Sequence, residues 1–120
     1  MRILIFGDSI AQGFFDSRGG WVGRLTNEYF QKAIREPEAD TVTVFNLGVS
    51  ADYVQNIIDR IKDETKARQR ENEQILIVVS IGINDAQLKD NKVYSDEYKF
   101  QEKYEKLVDM VTKISDTISK

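Results

Sequence analysis

Three short polar segments of this 120-residue sequence carry the residue types that acyl transfer requires: Gly7-Asp8-Ser9, Asn46-Leu47-Gly48 and Gly82-Ile83-Asn84-Asp85. Ser9 has a hydroxyl group that could act as a nucleophile. Gly48 has no side chain, so its N–H could approach a developing oxyanion, and the amide of Asn84 could donate to the same oxygen. Each segment alone is common in proteins. Together they predict a serine-dependent acyl-transfer site, provided that the fold brings them to one place.

Each polar segment follows an apolar run that is typical of a β-strand: Ile3–Phe6, Thr41–Phe45 and Ile75–Ile81. Amphipathic stretches with a period of 3.6 residues come after these strands and predict three helices. Their apolar residues are Trp21, Val22, Leu25, Tyr29 and Ala33 in the first, Val54, Ile57, Ile58, Ile61 and Thr65 in the second, and Tyr104, Leu107, Val108, Val111, Ile114 and Ile118 in the third. Pro37 predicts the end of the first helix, and Ser95 is the predicted N-cap of the last.

Strand–helix alternation predicts one α/β domain over residues 1–120, with a parallel sheet and helices on both faces. Ligands of such sheets bind beyond the carboxyl ends of the strands. We expect the strand order 2-1-3, which brings all three polar segments into one crevice, and we expect Ser9, Gly48 and Asn84 to converge there.

In this order and context, the three motifs resemble the first three blocks of the SGNH hydrolases, also called GDSL-type lipases and esterases. Gly19-Gly20-Trp21 at the first helix is also similar to many bacterial members. The resemblance implies a flavodoxin-like three-layer α/β/α sandwich. It further implies Ser9 as nucleophile, and an oxyanion hole formed by the Ser9 N–H, the Gly48 N–H and the Asn84 side chain. It implies hydrolysis of a small-molecule carboxylic ester or thioester, with neither a metal nor an organic cofactor.

The sequence departs from that family in one respect. The last family block, an Asp and a His three residues apart, does not occur, and the sequence contains no histidine at all. We expect a truncated piece of a hydrolase, inactive or weakly active by itself; the alternative is a naturally minimal relative without catalysis.

Three further residues are candidates for substrate contacts: Asp8, Phe14 and Asp85. Asp8 is also expected to hold its loop through backbone hydrogen bonds, Phe14 could equally belong to ordinary packing, and Trp21 is interpreted as a core residue.

Other functions remain open. A non-catalytic module could bind a small ester, sugar or phosphate, for example through Ser9, Gln12 and Gly13. A magnesium-dependent phosphoryl receiver would use Asp8 and Asp85.

Composition narrows the possible partners. The formal net charge of −3 argues against nucleic-acid binding. The absence of cysteine excludes disulfides and thiolate zinc sites. We find neither a membrane span nor a signal peptide and expect a cytoplasmic location.

The run Ile75–Ile81 is apolar on both faces, and in a 2-1-3 order it lies at an edge. We therefore expect a homodimer in which this strand pairs with a second copy.

Overall fold

A three-stranded parallel sheet organises the protein in the computed structural model, which describes residues 1–93 and 97–118. Its strands are β1 (Arg2–Gly7), β2 (Thr43–Gly48) and β3 (Ile75–Ser80), in the order β2-β1-β3. Gly7 pairs with Gly48 on one side and with Ser80 on the other. The three carboxyl ends therefore lie level at one edge, and the predicted α/β class and strand order are confirmed.

Helices follow each strand: α1 (Ser9–Gln12), α2 (Gly20–Arg35), α3 (Val54–Arg68) and α4 (Glu97–Ile118). A two-stranded antiparallel ladder, β4 (Leu88–Lys89) with β5 (Lys92–Val93), precedes α4. The sequence did not predict this ladder or the short helix α1. Ser95, the predicted N-cap of the last helix, lies outside the described residues. None of the helices in the described ranges is both long and apolar enough to cross a membrane.

The second strand differs from its predicted bounds. It begins at Thr43 instead of Thr41 and continues through Asn46 to Gly48. Pairing with β1 causes the difference, because all six residues of β2 are in register with the six residues of β1. The Asn46–Gly48 motif therefore belongs to the end of the strand rather than to the loop after it.

Alternate residues of β1 face two separate clusters of buried side chains. Leu4 and Phe6 pack with residues of α3 and α4, including Ile57, Ile61 and Leu107. Ile3 and Ile5 face the other way and pack with residues of α1 and α2, among them Ala11 and Val22. The sheet is thus covered by helices on both faces, which is the three-layer α/β/α arrangement. Trp21 was predicted to lie in the core, but it is 38% exposed, because Val22 is the residue of that turn that faces the sheet.

Strand β3 is an edge strand of the described sheet and is incompletely covered. Ile75, Ile77 and Val79 pack towards the α3 and α4 side, whereas Leu76, on the opposite face, is 47% exposed. The Cα radius of gyration is 16.0 Å, compared with about 13.6 Å expected for a compact domain of this length. Both β2 and β3 are edges of the described sheet, and the exposed face of β3 together with the large radius indicates a less compact body than is usual for this length.

Candidate active site

Ser9 is the first residue of α1, directly beyond the carboxyl end of β1. Asp8 precedes it as the N-cap; this residue is 3% exposed, and its Oδ1 accepts a hydrogen bond from the Ile10 N–H at 2.9 Å. The carboxylate of Asp8 thus holds the strand-to-helix turn, as expected for loop fixation. Whether it also contacts substrate stays a prediction. Among the described residues, neither the hydroxyl nor the N–H of Ser9 has a hydrogen-bond partner.

Gly48 lies where α1 passes over the end of β2. A Cβ placed on Gly48 would lie 2.4 Å from the backbone nitrogen of Gln12 and 2.9 Å from the carbonyl carbon of Ala11. Only a residue without a side chain permits that approach. The Gly48 N–H, predicted to serve as an oxyanion donor, donates to Oδ1 of Asn46 at 3.0 Å. An oxyanion would therefore have to share this donor with the Asn46 side chain or displace it.

The turn after Gly48 presents a donor that the sequence did not indicate. The Asp52 N–H donates to the Val49 carbonyl at 3.1 Å, which closes a turn, and Ala51 within it has a φ of 69°. The Ala51 N–H has no partner in the part of the chain that the structure describes. Alanine is uncommon at positive φ, so residue type alone gave no signal for this position.

The third loop places Asn84 and Asp85 in the interior. Asn84 is 8% exposed, and its Nδ2 donates to the Asp52 carbonyl at 2.8 Å. Asp85 is 3% exposed, and its Oδ2 accepts from the N–H of Val54, the first residue of α3, at 3.1 Å. Burial raises the pKa of the Asp85 carboxyl, and the hydrogen bond from Val54 opposes that shift. The structure thus shows Asp85 tying the third loop to α3, and its contact with substrate stays a prediction.

Hydrogen bonds join the three loops into one assembly at the carboxyl edge. The Ser50 N–H donates to Oε1 of Gln12 at 2.6 Å, which ties the second loop to α1. Asn84 ties the third loop to the second through Asp52. Ser9 in α1, Gly48 at the end of β2 and Asn84 in the third loop therefore lie on interconnected segments at the same edge of the sheet. Such an arrangement can present a hydroxyl nucleophile beside several N–H donors, as acyl transfer requires.

Two phenylalanines project beside this edge. Phe14 is 54% exposed and Phe15 is 99% exposed, and their ring centroids lie 4.4 Å apart in an edge-to-face contact. Phe14 is therefore not a buried packing residue, which was one of the two interpretations. Its role as an apolar substrate contact stays a prediction.

The phosphate-binding alternatives find little support in the geometry. The Gly13 N–H is already bound to the carbonyls of Ser9 and Ile10, so it is not free for a phosphate. A phosphoryl receiver would need Asp8 and Asp85 at a cation, but both carboxylates accept backbone N–H groups. Within residues 1–93 and 97–118, no group of three or more His, Cys, Asp or Glu side chains is placed to hold a metal ion.

Comparisons with known proteins agree with this geometry. The family model for GDSL-like lipase/acylhydrolase matches residues 3–115. AlinE4, an SGNH-hydrolase family esterase, is 26% identical over 71% of this chain and 41% of its own, with a TM-score of 0.53. Two further structures share the fold. The acetyl xylan esterase AlAXEase is 19% identical over 94% of this chain and 53% of its own, with a TM-score of 0.65. A lipase/acylhydrolase from Enterococcus faecalis is 24% identical over 92% and 51%, with a TM-score of 0.59.

The chain spans about half the length or less of each of these three structures. No curated protein shows a significant sequence match to this chain.

Proposed function

Because the chain belongs to the GDSL-like lipase/acylhydrolase family, we propose that Ser9 is the nucleophile of a carboxylic ester hydrolysis site at the carboxyl edge of the sheet. One observation carries the proposal. The Ser9 hydroxyl, without a protein partner among the described residues, stands at the first turn of α1. The loops bearing Gly48 and Asn84 are hydrogen-bonded around the same edge. The substrate class is a small-molecule ester.

The reaction begins with attack of the Ser9 Oγ on the ester carbonyl carbon. A C–O bond forms while the Ser9 hydroxyl proton passes to water, and the carbonyl oxygen takes the negative charge. Collapse of this intermediate breaks the ester C–O bond, and the alkoxide takes a proton from water to leave as the alcohol. The acyl-serine that remains is then hydrolysed by water. Preorganised donors stabilise that charge. Asn84 has one Nδ2 hydrogen on the Asp52 carbonyl and a second for an oxyanion. The Ser9 N–H is a further donor, and the third comes from Gly48, as predicted, or from Ala51.

Attack by Ser9 requires a group that accepts its hydroxyl proton. The sequence contains no histidine, so no imidazole within it accepts the Ser9 proton. Asp8 and Asp85 are buried and each accepts a backbone N–H, and among the described residues neither carboxylate is hydrogen-bonded to the Ser9 hydroxyl. A neutral serine hydroxyl is a weak nucleophile. We therefore expect the 120-residue chain alone to show almost no turnover, with at most the residual catalysis of roughly 10³–10⁴-fold over water that triad-deficient hydrolases retain.

The test uses purified protein and a series of p-nitrophenyl esters. We expect weak p-nitrophenol release and slow acylation that peptide mapping assigns to Ser9; both disappear in Ser9→Ala and persist in the control Ser17→Ala, which alters an exposed serine in the adjacent loop. Robust turnover abolished by Ser9→Ala would contradict the expectation of near inactivity and require a base other than histidine. Acylation that persists in Ser9→Ala would refute Ser9 as the nucleophile. Ester binding without any acylation would favour the alternative, a non-catalytic binding module.

A further inference from the structure

Arg60, on the second turn of α3, makes contacts that no sequence motif indicated. Its Nε and Nη2 both donate to Oδ2 of Asp52, at 3.2 and 2.9 Å, and Nη2 also donates to the Leu47 carbonyl at 2.7 Å. Its guanidinium carbon lies 5.5 Å from the ring centroid of Phe6, on the core side of β1. The Arg60 and Asp52 side chains are only 20% and 11% exposed. This charge-assisted cluster is therefore largely shielded from water, which strengthens it.

The two partners of Arg60 lie at the two ends of residues 47–52, a segment (loop 47–52) made of the last two residues of β2 and the turn that follows. Leu47 is the residue before Gly48, and its carbonyl belongs to the same planar peptide group as the Gly48 N–H. At the other end, the Asp52 carbonyl accepts the hydrogen bond from Asn84. The Arg60 guanidinium thus binds the peptide group that carries the Gly48 N–H, a predicted oxyanion donor. It also binds Asp52, whose carbonyl holds the side chain of Asn84, the other predicted donor. Ala51, whose N–H has no partner in the described structure, lies between them.

We propose that Arg60 is a positioning residue that holds loop 47–52 and the Asn84 side chain in the geometry of an oxyanion hole. The expected effect of Arg60 on catalysis rests on the proposed function, whereas its role in holding the loop does not. Arg60 does not contact the reacting atoms. It acts by fixing both ends of the loop at once, so that the N–H donors in loop 47–52 and on Asn84 are preorganised.

The planar guanidinium is needed for this task. It presents several N–H donors in a rigid fork, so one side chain reaches a carboxylate and a carbonyl together. A lysine at this position would keep the positive charge beside Asp52 but offer one compact ammonium group. We therefore expect Arg60→Lys to retain the ion pair and to lose the bond to the Leu47 carbonyl, giving an effect between those of the wild type and Arg60→Ala.

Arg68 offers a matched control on the same helix. It also pairs with a carboxylate, that of Glu64, and its guanidinium carbon lies 5.6 Å from the ring centroid of Phe45. In the part of the chain that the structure describes, its hydrogen-bond partners belong to α3 itself, so it makes no polar contact with loop 47–52. Arg68→Ala therefore removes a similar ion pair and ring contact without disturbing the candidate site.

The first measurement is amide hydrogen exchange by NMR on the complete 120-residue chain. In Arg60→Ala we expect the Asp52 and Val54 amides to exchange at least about tenfold faster, and the Asn84 side-chain NH₂ resonances to shift, while β1 amides keep their relative protection. Arg60→Lys should fall in between, and Arg68→Ala should leave these signals unchanged. Uniform loss of protection in Arg60→Ala, or wild-type exchange in the loop, would overturn the proposal.

The second measurement separates Arg60 from the proposed function. An alkyl fluorophosphonate transfers its phosphonyl group to a serine Oγ with loss of fluoride and the hydroxyl proton, and the adduct places its phosphoryl oxygen, which carries partial negative charge, where the oxyanion would lie. We expect the labelling rate of Ser9, followed by intact mass, to fall at least about tenfold in Arg60→Ala and to remain unchanged in Arg68→Ala. No labelling of the wild type at Ser9 would refute the proposed function, whereas the exchange data would still decide the role of Arg60. Equal labelling of wild type and Arg60→Ala would refute the catalytic consequence.

Discussion

The close approach of α1 to Gly48 makes Gly48→Ala a sharp test of the site geometry. The added methyl group would lie 2.4 Å from the backbone nitrogen of Gln12, about 1 Å inside ordinary van der Waals contact. The obstructing atoms belong to the backbone of α1, so no side-chain rotation relieves the clash. Either α1 or the end of β2 has to move. Alanine retains the N–H at position 48, so the substitution tests the steric requirement separately from the donor.

The expected cost follows from that overlap. Inserting one methyl group into close-packed surroundings typically destabilises a protein by about 1–3 kcal/mol. With a urea m-value of about 1–3 kcal/mol/M, the unfolding midpoint should fall by about 1 M. The displacement also moves the helix whose first residue is Ser9. A misplacement of about 1 Å can cost roughly 10²-fold in a positioned reaction, so phosphonylation of Ser9 should slow more than the loss of stability explains.

Urea denaturation followed by circular dichroism measures the stability difference. The control is Val49→Ala at the neighbouring position, where the side chain is 45% exposed and the change should stay within about 0.5 kcal/mol. If Gly48→Ala unfolds at the wild-type midpoint and Ser9 reacts at the wild-type rate, then α1 does not press on β2 as the structure shows, and the steric reasoning is wrong.

Three other predictions concern the carboxyl group of Asp85, the packing of α4 in the core and the exposed edge of β3. Burial raises the pKa of Asp85, so the folded state binds that proton more tightly than the unfolded chain. The contribution of this group to stability is therefore fully present below its unfolded pKa and is lost as the pH rises through its folded pKa. Asp85→Asn should lessen the decline in urea midpoint with rising pH from about 3 upwards, and an identical pH profile for both proteins would contradict this. Leu107→Ala, at a residue 1% exposed, should cost about 2–5 kcal/mol, whereas Val108→Ala, 51% exposed, should cost under about 0.5 kcal/mol in the same assay; similar losses would refute the assigned orientation of α4. We propose that the edge of β3, which has no charged residue or proline to protect it, pairs with a second copy of the chain about a two-fold axis; light scattering should show a dimer that Leu76→Lys converts to a monomer, and a monodisperse wild-type monomer would refute the pairing.

The sequence determined the architecture because the relevant signals are local and repeat. Apolar runs predicted three strands, and the helical stripe of α3 correctly identified Val54, Ile57 and Ile61 as buried. Once strands and helices alternate, a parallel sheet follows, and the polar segment after each strand must lie at the same edge. The location of Ser9 beyond β1 and of Asn84 beyond β3 could therefore be predicted from residue types and their order alone.

Local pattern could not determine the register or the exposure of single residues. The extension of β2 to Gly48 depends on pairing with β1, about forty residues away. Trp21 and Phe14 are apolar, yet both are exposed, since the direction of each side chain depends on how its element docks on the sheet. Apolar character indicates which residues can be buried, whereas packing decides which residues are.

The working details of the candidate site were decided by tertiary structure alone. The Gly48 N–H is bound by Asn46, and Ala51 adopts a left-handed backbone. Arg60 joins the two ends of a loop that begins thirteen residues before it. Such contacts involve common residue types without a characteristic spacing, so the sequence carries no separate signal for them. A sequence motif identifies residues whose side chains are chemically suited to catalysis. Which N–H donors are free depends on hydrogen bonds between distant segments, and those bonds form only when the chain folds.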